Sequence, residues 1–98
     1  MSNTPYLDLK LNPTEHLLVT VRNRERVFYQ GPAKAVTSYN AKGKFDILLS
    51  HTNFISIINT GIIIYKMDDT TQEYKISTGV LKVSSNIVDI YLGILTAK

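Results

Sequence analysis

Turn-forming residues divide this chain at nearly regular intervals, and this spacing limits the fold more than any other feature of the sequence. Clusters of Gly, Pro, Asn, Asp and Ser recur about every 8 to 12 residues. The segments between them are short and rich in Ile, Val, Thr and Tyr, which are residues that favour strands. No window shows the 3.6-residue period of a helix. The spacing therefore predicts an all-β fold, an antiparallel β-sandwich of about nine to ten short strands.

Strict alternation of apolar and polar residues marks the first two predicted strands. Residues 6–11 place three leucines on one face, and residues 17–22 place Leu17, Val19 and Val21 on one face. Asn12 and Pro13 end the first of these strands, because proline cannot continue a ladder. We therefore expect an N-terminal extension, residues 1–16, with one extra strand, and a β-sandwich domain, residues 17–98. The predicted strands are residues 6–11, 17–22, 27–29, 33–39, 45–49, 54–58, 62–67, 72–77, 80–83 and 87–92.

The bulk composition excludes several classes of protein. The chain has 98 residues, which is enough for one domain, and it has no cysteine, so it can form neither a disulfide nor a thiolate site. No apolar run approaches the roughly 20 residues that span a bilayer. The N-terminus lacks the charged and apolar regions of a signal peptide. These features predict a soluble, cytoplasmic protein.

Groups that could perform enzymatic chemistry are scarce. His51 lies in a polar corner near Asp46 and Ser50, but this order lacks the glycines of a nucleophile elbow. Asp68 and Asp69 are adjacent, as in a turn, and the chain has no histidine pair at ligand spacing. The sequence therefore predicts no catalytic residue, no metal site, no cofactor and no small-molecule substrate, and it gives His51 a role in the corner or in a partner contact.

A basic and aromatic segment raises the alternative of nucleic-acid binding. Arg22, Arg24 and Arg26 alternate just before Phe28 and Tyr29, a pattern that can follow a phosphate backbone and stack on bases. However, Glu25 dilutes the cluster, and the net charge of the chain is only +3. We favour a solvated arginine-rich turn and expect no nucleic-acid partner.

Two apolar runs have more hydrophobic positions than one core-facing side of a strand requires. Residues 55–58 and residues 62–64 carry few polar side chains, so both faces of these strands need cover. One face has the core of the sandwich. The sequence leaves three covers open for the other face, namely the extra strand at residues 7–11, a second copy of the chain or another protein.

The order of these elements resembles the N-terminal β-sandwich domain of the epsilon subunit (delta in mitochondria) of F-type ATP synthases. The resemblance covers residues 17–93. It depends on an aromatic and glycine segment, a signature loop with a histidine, a glycine before a strand and a Ser-x-Gly segment followed by the last strand. The matching positions are residues 28–31, Gly43, Phe45, Ile47, Leu48, His51, Phe54, Ile55, Gly61, residues 77–83 and residues 87–92.

The signature loop also departs from the pattern of the family. Lys44 stands where the family has a glutamate, and Asp46 replaces its second glycine. In the family this loop faces the polar loops of the c-ring, so the reversed charge at Lys44 predicts a changed contact. The chain ends at Lys98, where the family usually continues into a helical hairpin that carries regulatory inhibition. That property is not carried over to this chain.

The resemblance implies a non-catalytic rotor subunit that bridges the gamma subunit and the c-ring and couples proton translocation to ATP synthesis. It implies ring contacts from Lys42, Lys44, Phe45 and His51, an apolar sheet face against gamma, and a cytoplasmic position at the inner or plasma membrane. The alternative is a stand-alone relative that binds another protein, or a second copy, outside the synthase.

Overall fold

The computed structural model describes residues 14–93, and these residues form seven strands in one continuous sheet. The order across the sheet is β2-β1-β7-β6-β5-β3-β4. The strands are β1 (Leu17–Arg22), β2 (Val27–Ala33), β3 (Ala35–Asn40), β4 (Gly43–Leu48), β5 (Phe54–Tyr65), β6 (Thr71–Ser84) and β7 (Ile87–Leu92).

The two longest strands, β5 and β6, belong to both layers of the sandwich. Residues 54–58 of β5 pair with the second half of β6, which continues through β7 and β1 to β2. We call this the front layer. Residues 62–65 of β5 pair with β3 and with the first half of β6, and β4 completes this back layer. The sheet therefore folds over along the middle of β5 and β6 and encloses its own core.

Alternation along the strands produces a single apolar core between the two layers. Alternate side chains point inward, as the period of two of a strand requires, most regularly in β1 and in the second half of β6. Side chains from both layers meet in one buried cluster, and each of its members is at most 1% exposed. They are Leu17, Val19, Val21, Ala33, Val36, Ile47, Ile58, Ile62, Ile64, Leu81, Val83, Val88 and Ile90.

Where the sheet folds over, β5 has an irregular backbone and β6 lies unusually close to β7. The register between β5 and β6 shifts between Ile58 and Thr60, and Thr60 has a φ of 70°. Buried Ser38 donates a hydrogen bond of 2.7 Å to the carbonyl of Gly61. A Cβ at Gly79 would lie only 2.8 Å from the carbonyl oxygen of Tyr91. Glycine is required at position 79 because β7 passes so closely.

Tight turns match the chemistry of their residues. Ser84 pairs with Ile87, and the two residues between them, Ser85 and Asn86, have φ values of 50° and 68°. Two positive φ values are the mark of a type I′ hairpin, whose twist matches the strands. Gly43, which follows the turn between β3 and β4, has a φ of 119°, a conformation that glycine adopts without a steric penalty.

The all-β class and the sandwich are confirmed, but two details of the prediction are wrong. The sheet is not wholly antiparallel, because β1 and β7 run parallel. The four runs predicted as separate strands at residues 54–58, 62–67, 72–77 and 80–83 form only two strands, since Gly61 and Gly79 lie within ladders. Residues 6–11, the predicted extra strand, lie outside the described residues. Across residues 14–93, no helix is long and apolar enough to cross a membrane.

Candidate protein interaction site

The hairpin between β3 and β4 presents the two lysines predicted as partner contacts. Lys42 lies in the turn, where its backbone N–H donates a 2.8 Å hydrogen bond to the side-chain oxygen of Asn40. Lys44 is the second residue of β4 and pairs with Tyr39. Both lysine side chains are exposed. They therefore place two positive charges at the tip of this hairpin, which we call the lysine hairpin.

The other two predicted contacts, Phe45 and His51, pack on one aromatic ring. Phe54, the first residue of β5, makes an edge-to-face contact with Phe45 at a centroid distance of 5.5 Å. The His51 ring meets Phe54 in the same way at 5.6 Å. All three rings are half-buried. The structure thus brings Phe45 and His51 together, and their packing holds the corner after β4 against the start of β5.

The corner itself is fixed by backbone hydrogen bonds. The N–H of His51 donates to the carbonyl of Leu48 at 3.1 Å, and the ring Nδ1 lies 2.8 Å from the carbonyl of Thr52. Ser50 has a φ of 66°, and its N–H donates to the side-chain oxygen of Asn86 at 2.7 Å. These bonds tie the corner to the turn between β6 and β7 and agree with the structural role predicted for His51.

An apolar patch covers part of the outer face of the front layer. Ile55 is 66% exposed and Ile57 is 71% exposed, although isoleucine usually lies in cores. Ile57 pairs with Val80, and Val80 pairs with Tyr91 on the next strand, so these side chains are neighbours across three strands. We call Ile55, Ile57, Val80 and Tyr91 the outer patch. A contiguous apolar surface of this kind is typical of an interaction site.

A groove of about 740 Å³ runs across this same face. Beyond the outer patch it is lined by charged and polar side chains from β1, β2, β6 and β7. Arg22 stacks over the ring of Tyr91, with its guanidinium carbon 5.8 Å from the ring centroid. Lys82 and Asp89 occupy paired positions in the floor. The groove is therefore amphipathic, with an apolar end on β5 and a polar end on β1 and β2.

The lysine hairpin and the outer patch form one continuous surface. Asn40 and Lys42 line a shallow depression of about 450 Å³ together with residues 54–57 of β5. The side-chain amide of Asn40 donates a 3.1 Å hydrogen bond to the hydroxyl of Ser56, which joins the two parts. A partner could contact both parts at once.

The arginine-rich segment uses its aromatic residues within the fold. Arg26 stacks over Phe28 at 4.7 Å, and Phe28 also packs edge-to-face on Tyr74. The Tyr29 hydroxyl donates to the carbonyl of Pro32 at 2.8 Å. Burial raises the pKa of Tyr29 and Tyr74 above the usual value for tyrosine. The rings needed for base stacking are engaged in these contacts, which supports the interpretation as a structural turn.

The acidic residues considered for metal binding or for catalysis have structural partners. Hydrogen bonds from the Thr70 hydroxyl and the Thr70 backbone N–H lower the pKa of Asp68. Asp69 pairs with Lys34, and Asp46 accepts a 2.5 Å hydrogen bond from Thr37. In the part of the chain that the structure describes, no group of three or more metal-ligating side chains occurs.

Comparison with known protein families identifies the family of this chain. The family model for the ATP synthase Delta/Epsilon chain, beta-sandwich domain, matches residues 16–93. The chain belongs to this family. The match includes all seven strands, the lysine hairpin and the outer patch.

Relatives and solved structures agree with this assignment. The ATP synthase epsilon chain of Helicobacter pylori is 28% identical over 74 residues, which are 76% of this chain and 60% of the relative. That of Helicobacter acinonychis is also 28% identical over the same length. The fold resembles a chain in the Euglena gracilis mitochondrial ATP synthase, with a TM-score of 0.75 at 20% identity, covering 83% of this chain and 52% of that chain. It also resembles a chain in the central stalk and c-ring of the Tetrahymena thermophila enzyme, with a TM-score of 0.66 at 12% identity, covering 83% and 66%.

This chain spans 60% of the length of the curated relatives that it matches. Their shared part is the β-sandwich. Sequence reasoning located Ile55 and Ile57 as residues that need cover, but it did not identify Val80 and Tyr91 as their neighbours. Val80 lies two residues from Lys82, and Tyr91 lies two residues from Asp89, so each shares its strand face with a charged residue, which was a signal that these side chains face outward.

Proposed function

We propose that this chain is a non-catalytic subunit of the rotor of an F-type ATP synthase. It would bridge the gamma subunit and the c-ring, and so help to couple proton translocation to ATP synthesis. The observation that carries this proposal is the family match over residues 16–93, which leaves out only two of the described residues.

The outer patch is the surface we assign to the gamma subunit. It contains two isoleucines that are more than 60% exposed, on the same strand as the fully buried Ile58, Ile62 and Ile64. Burying such side chains against a partner is favourable by about 25 cal/mol per Å² of apolar surface. The groove beside the patch adds Arg22 and Lys82 as charged groups at its polar end.

The lysine hairpin is the surface we assign to the c-ring. Lys42 and Lys44 are exposed and can meet polar or acidic groups of the ring loops. Phe45 and His51 pack on Phe54, and both are partly exposed and so accessible to a partner. In this arrangement the lysines determine the charge of the contact and the rings determine its shape.

The mechanical role requires a domain that keeps these two surfaces in a fixed relation. The core between the layers is fully buried, and close-packed interiors deform little under load. Strand β5 carries two of the four residues of the outer patch, and its Ser56 accepts a hydrogen bond from Asn40 of the hairpin. A force on one surface therefore reaches the other through one strand and its neighbours. As part of the synthase, the chain would lie at the membrane without crossing it.

Reconstitution with the gamma subunit and c-ring of the same organism tests the proposal. A tagged chain should co-purify with both, and Ile57→Lys should weaken binding to gamma by tenfold or more, about the effect of losing a central interface residue. Met67→Lys is the matched control, since Met67 is an exposed apolar residue in the turn after β5. Its binding to gamma should be unchanged.

The ring contact is tested separately with Lys44→Glu, which restores the charge that the family has at this position. This variant should change the binding of the ring with little effect on the binding of gamma. Absence of the tagged chain from the purified synthase would overturn the proposal as a whole. Equal binding of gamma by the Ile57 and Met67 variants would overturn the assignment of the outer patch.

A further inference from the structure

The first half of β5 has an open side within its layer. Residues 54–58 pair with β6 on one side. On the other side, β3 pairs with β5 only from Asn59 onward, so within the described residues no strand lies beside residues 54–58. Five residues of strand span about 17 Å. This open edge is therefore long enough to receive one short additional strand.

The register shows which backbone groups face the open edge. Ser84 and Ile87 close a two-residue hairpin and so exchange both of their backbone hydrogen bonds. Every second residue of β6, counted back from Ser84, therefore bonds to β7, and the residues between them bond to β5. Their partners on β5 are Phe54, Ser56 and Ile58. The N–H and C=O groups of Ile55 and Ile57 consequently point to the open edge.

A local hydrogen bond agrees with this assignment. The carbonyl of Ile57 accepts a 3.1 Å hydrogen bond from the hydroxyl of Ser56, its neighbour in sequence, as expected for a carbonyl that has no strand partner. Ile55 and Ile57 are 66% and 71% exposed, so these backbone groups lie at the surface. The edge thus presents donors and acceptors next to two apolar side chains of the outer patch.

The outermost strands of the sheet carry features that discourage strand addition, and the open edge of β5 does not. β2, at one end of the sheet, contains Pro32, and β4, at the other end, carries the charged side chains of Lys44 and Asp46. Prolines and charges on an edge oppose pairing with another chain. Residues 54–58 contain neither a proline nor a charge. An exposed edge of this kind is typical of a site where a partner adds a strand.

We propose that an extended segment of the gamma subunit adds a strand to the sheet along residues 54–58. This inference rests on the assignment of the outer patch to gamma, and it specifies how gamma is recognised. Ile55 and Ile57 would contribute their side chains to the apolar contact and their backbone groups to a ladder with the added strand. In strand addition, the main-chain hydrogen bonds supply affinity and the side chains supply specificity.

The surface beside the edge indicates the chemistry of the added segment. Lys42, at the border of the two assigned surfaces, is the one charged residue among those described that line the depression along residues 54–57. A carboxylate in the added segment would meet this charge, so charge complementarity favours an acidic segment over a basic one. Apolar side chains of the segment would lie beside Ile55 and Ile57 on the outer face. We therefore expect an apolar segment with an acidic residue near the lysine hairpin.

The shape of the chain disfavours a second copy at this edge. Two-fold pairing of residues 54–58 with the same residues of another copy would bring the corner at residues 50–53 of each copy alongside Asn59 and the residues after it. β3 already pairs there. Hydrogen bonds from the N–H groups of Ser50 and His51 hold the corner, so it cannot turn aside without breaking them. An extended segment of another protein can leave the edge at Asn59.

Proline at a position that faces the edge tests the backbone pairing. Ile57→Pro and Ile57→Ala both remove the isoleucine side chain, but only proline removes the N–H and places its ring in the path of the added strand. Because this N–H is not used in the ladder with β6, the fold should tolerate the proline, as edge strands do. We expect Ile57→Pro to bind gamma at least about tenfold more weakly than Ile57→Ala. Equal binding of the two variants would overturn the proposal.

A second position covers the case in which this proline variant does not fold. The thermal unfolding of both variants is measured before the binding assay. If Ile57→Pro is unfolded, Ile55→Pro and Ile55→Ala replace the pair, because the N–H of Ile55 also faces the edge. The expected difference in gamma binding and the contradicting result are the same for this pair.

Hydrogen exchange of individual amides needs no substitution. In the free chain, the amides of Ile55 and Ile57 should exchange at least about tenfold faster than those of Ser56 and Ile58, which bond to β6. Binding of gamma should slow the exchange at Ile55 and Ile57 by about tenfold or more. Slow exchange of these two amides in the free monomer would mean that the edge is already covered, and unchanged exchange in the complex would mean that gamma forms no ladder here. Either result contradicts the added strand.

The outcomes separate this inference from the proposed function. If gamma binds the wild-type chain but does not distinguish the proline variant from the alanine variant, the rotor assignment stands and only the added strand is wrong. If gamma does not bind the wild-type chain, the proposed function fails and this inference fails with it. Light scattering of the free chain tests the second copy. A dimer that Ile57→Pro dissociates and Ile57→Ala does not would assign the edge to a second copy and overturn the proposal.

Discussion

The two halves of β5 have similar sequences and opposite environments. Ile55 and Ile57 in the first half are 66% and 71% exposed, whereas Ile62 and Ile64 in the second half are fully buried. Both halves are rich in isoleucine, and both pair with β6. Composition alone does not distinguish them.

The difference comes from what lies beside each half. The second half is paired on both sides, with β3 and with β6, and its isoleucines at positions 62 and 64 face the core. The first half pairs along its length with β6 alone, and its odd-numbered side chains face away from the core. The register shift between Ile58 and Thr60 separates the exposed first half of β5 from the buried second half. The first half therefore offers apolar surface for binding, and the second half holds the layers together.

The largest expected effect comes from shortening a buried isoleucine of the second half. Ile64→Ala should lower the free energy of unfolding by about 2 to 5 kcal/mol, because it removes buried methyl groups and leaves a cavity. Ile57→Ala is the matched variant in the first half and should cost at most about 1 kcal/mol of strand propensity. Chemical denaturation of both variants measures the contrast. Similar losses would show that the two halves contribute equally to stability.

A smaller effect is expected at the boundary between the halves. Thr60 is β-branched and has a φ of 70°, a conformation that costs such residues about 1 to 2 kcal/mol. Thr60→Gly should relieve this strain, and the greater entropy of glycine in the unfolded chain offsets part of the gain. We expect a net gain of about 0.5 kcal/mol in the free energy of unfolding. Thr71→Gly, in the regular ladder, is the control and should be destabilising. A loss in both variants would mean that the boundary is not strained.

The smallest effect is a pH dependence in the turn that follows the second half. Hydrogen bonds from the Thr70 hydroxyl and N–H lower the pKa of Asp68 below its ordinary value of 3.8. A group whose pKa falls on folding stabilises the protein above its unfolded pKa and loses this contribution as the pH falls through the folded value. In Asp68→Asn, the free energy of unfolding should therefore fall slightly less than in the wild type as the pH drops below 3.8.

Thermal unfolding between acidic and neutral pH measures this effect. Thr70→Val removes the hydroxyl donor and should shift the dependence in the same direction. If the melting temperature falls with acidic pH as steeply in both variants as in the wild type, the turn contributes nothing to the pH dependence of stability.

Much of the fold could be predicted because strand signals are local. The alternation in residues 17–22 depends only on neighbouring residues, and the strand that it predicts is confirmed. The parallel pairing of β1 with β7 depends on segments about 70 residues apart in the chain, and no local pattern reports it. The continuity of β5 through Gly61 was missed because glycine usually marks a break, whereas here the Ser38 hydroxyl bonds to its carbonyl.

The candidate site was predictable in part for the same reason. The resemblance located the hairpin with Lys42 and Lys44, and the excess of apolar residues located Ile55 and Ile57. Joining them to Val80 and Tyr91 required the register of three strands, which the sequence does not display. The roles of the two lysines, Phe45 and His51 at the ring stay a prediction.

By itself, the sequence determined the strand content of this protein, its turns and the family it belongs to, since these follow from side-chain periodicity and from residues with special φ angles. Only the tertiary structure decided which isoleucines are core and which are surface. Burial is a property of neighbours brought together by folding. Two identical side chains on one strand differ once the sheet folds over one of them and leaves the other in water.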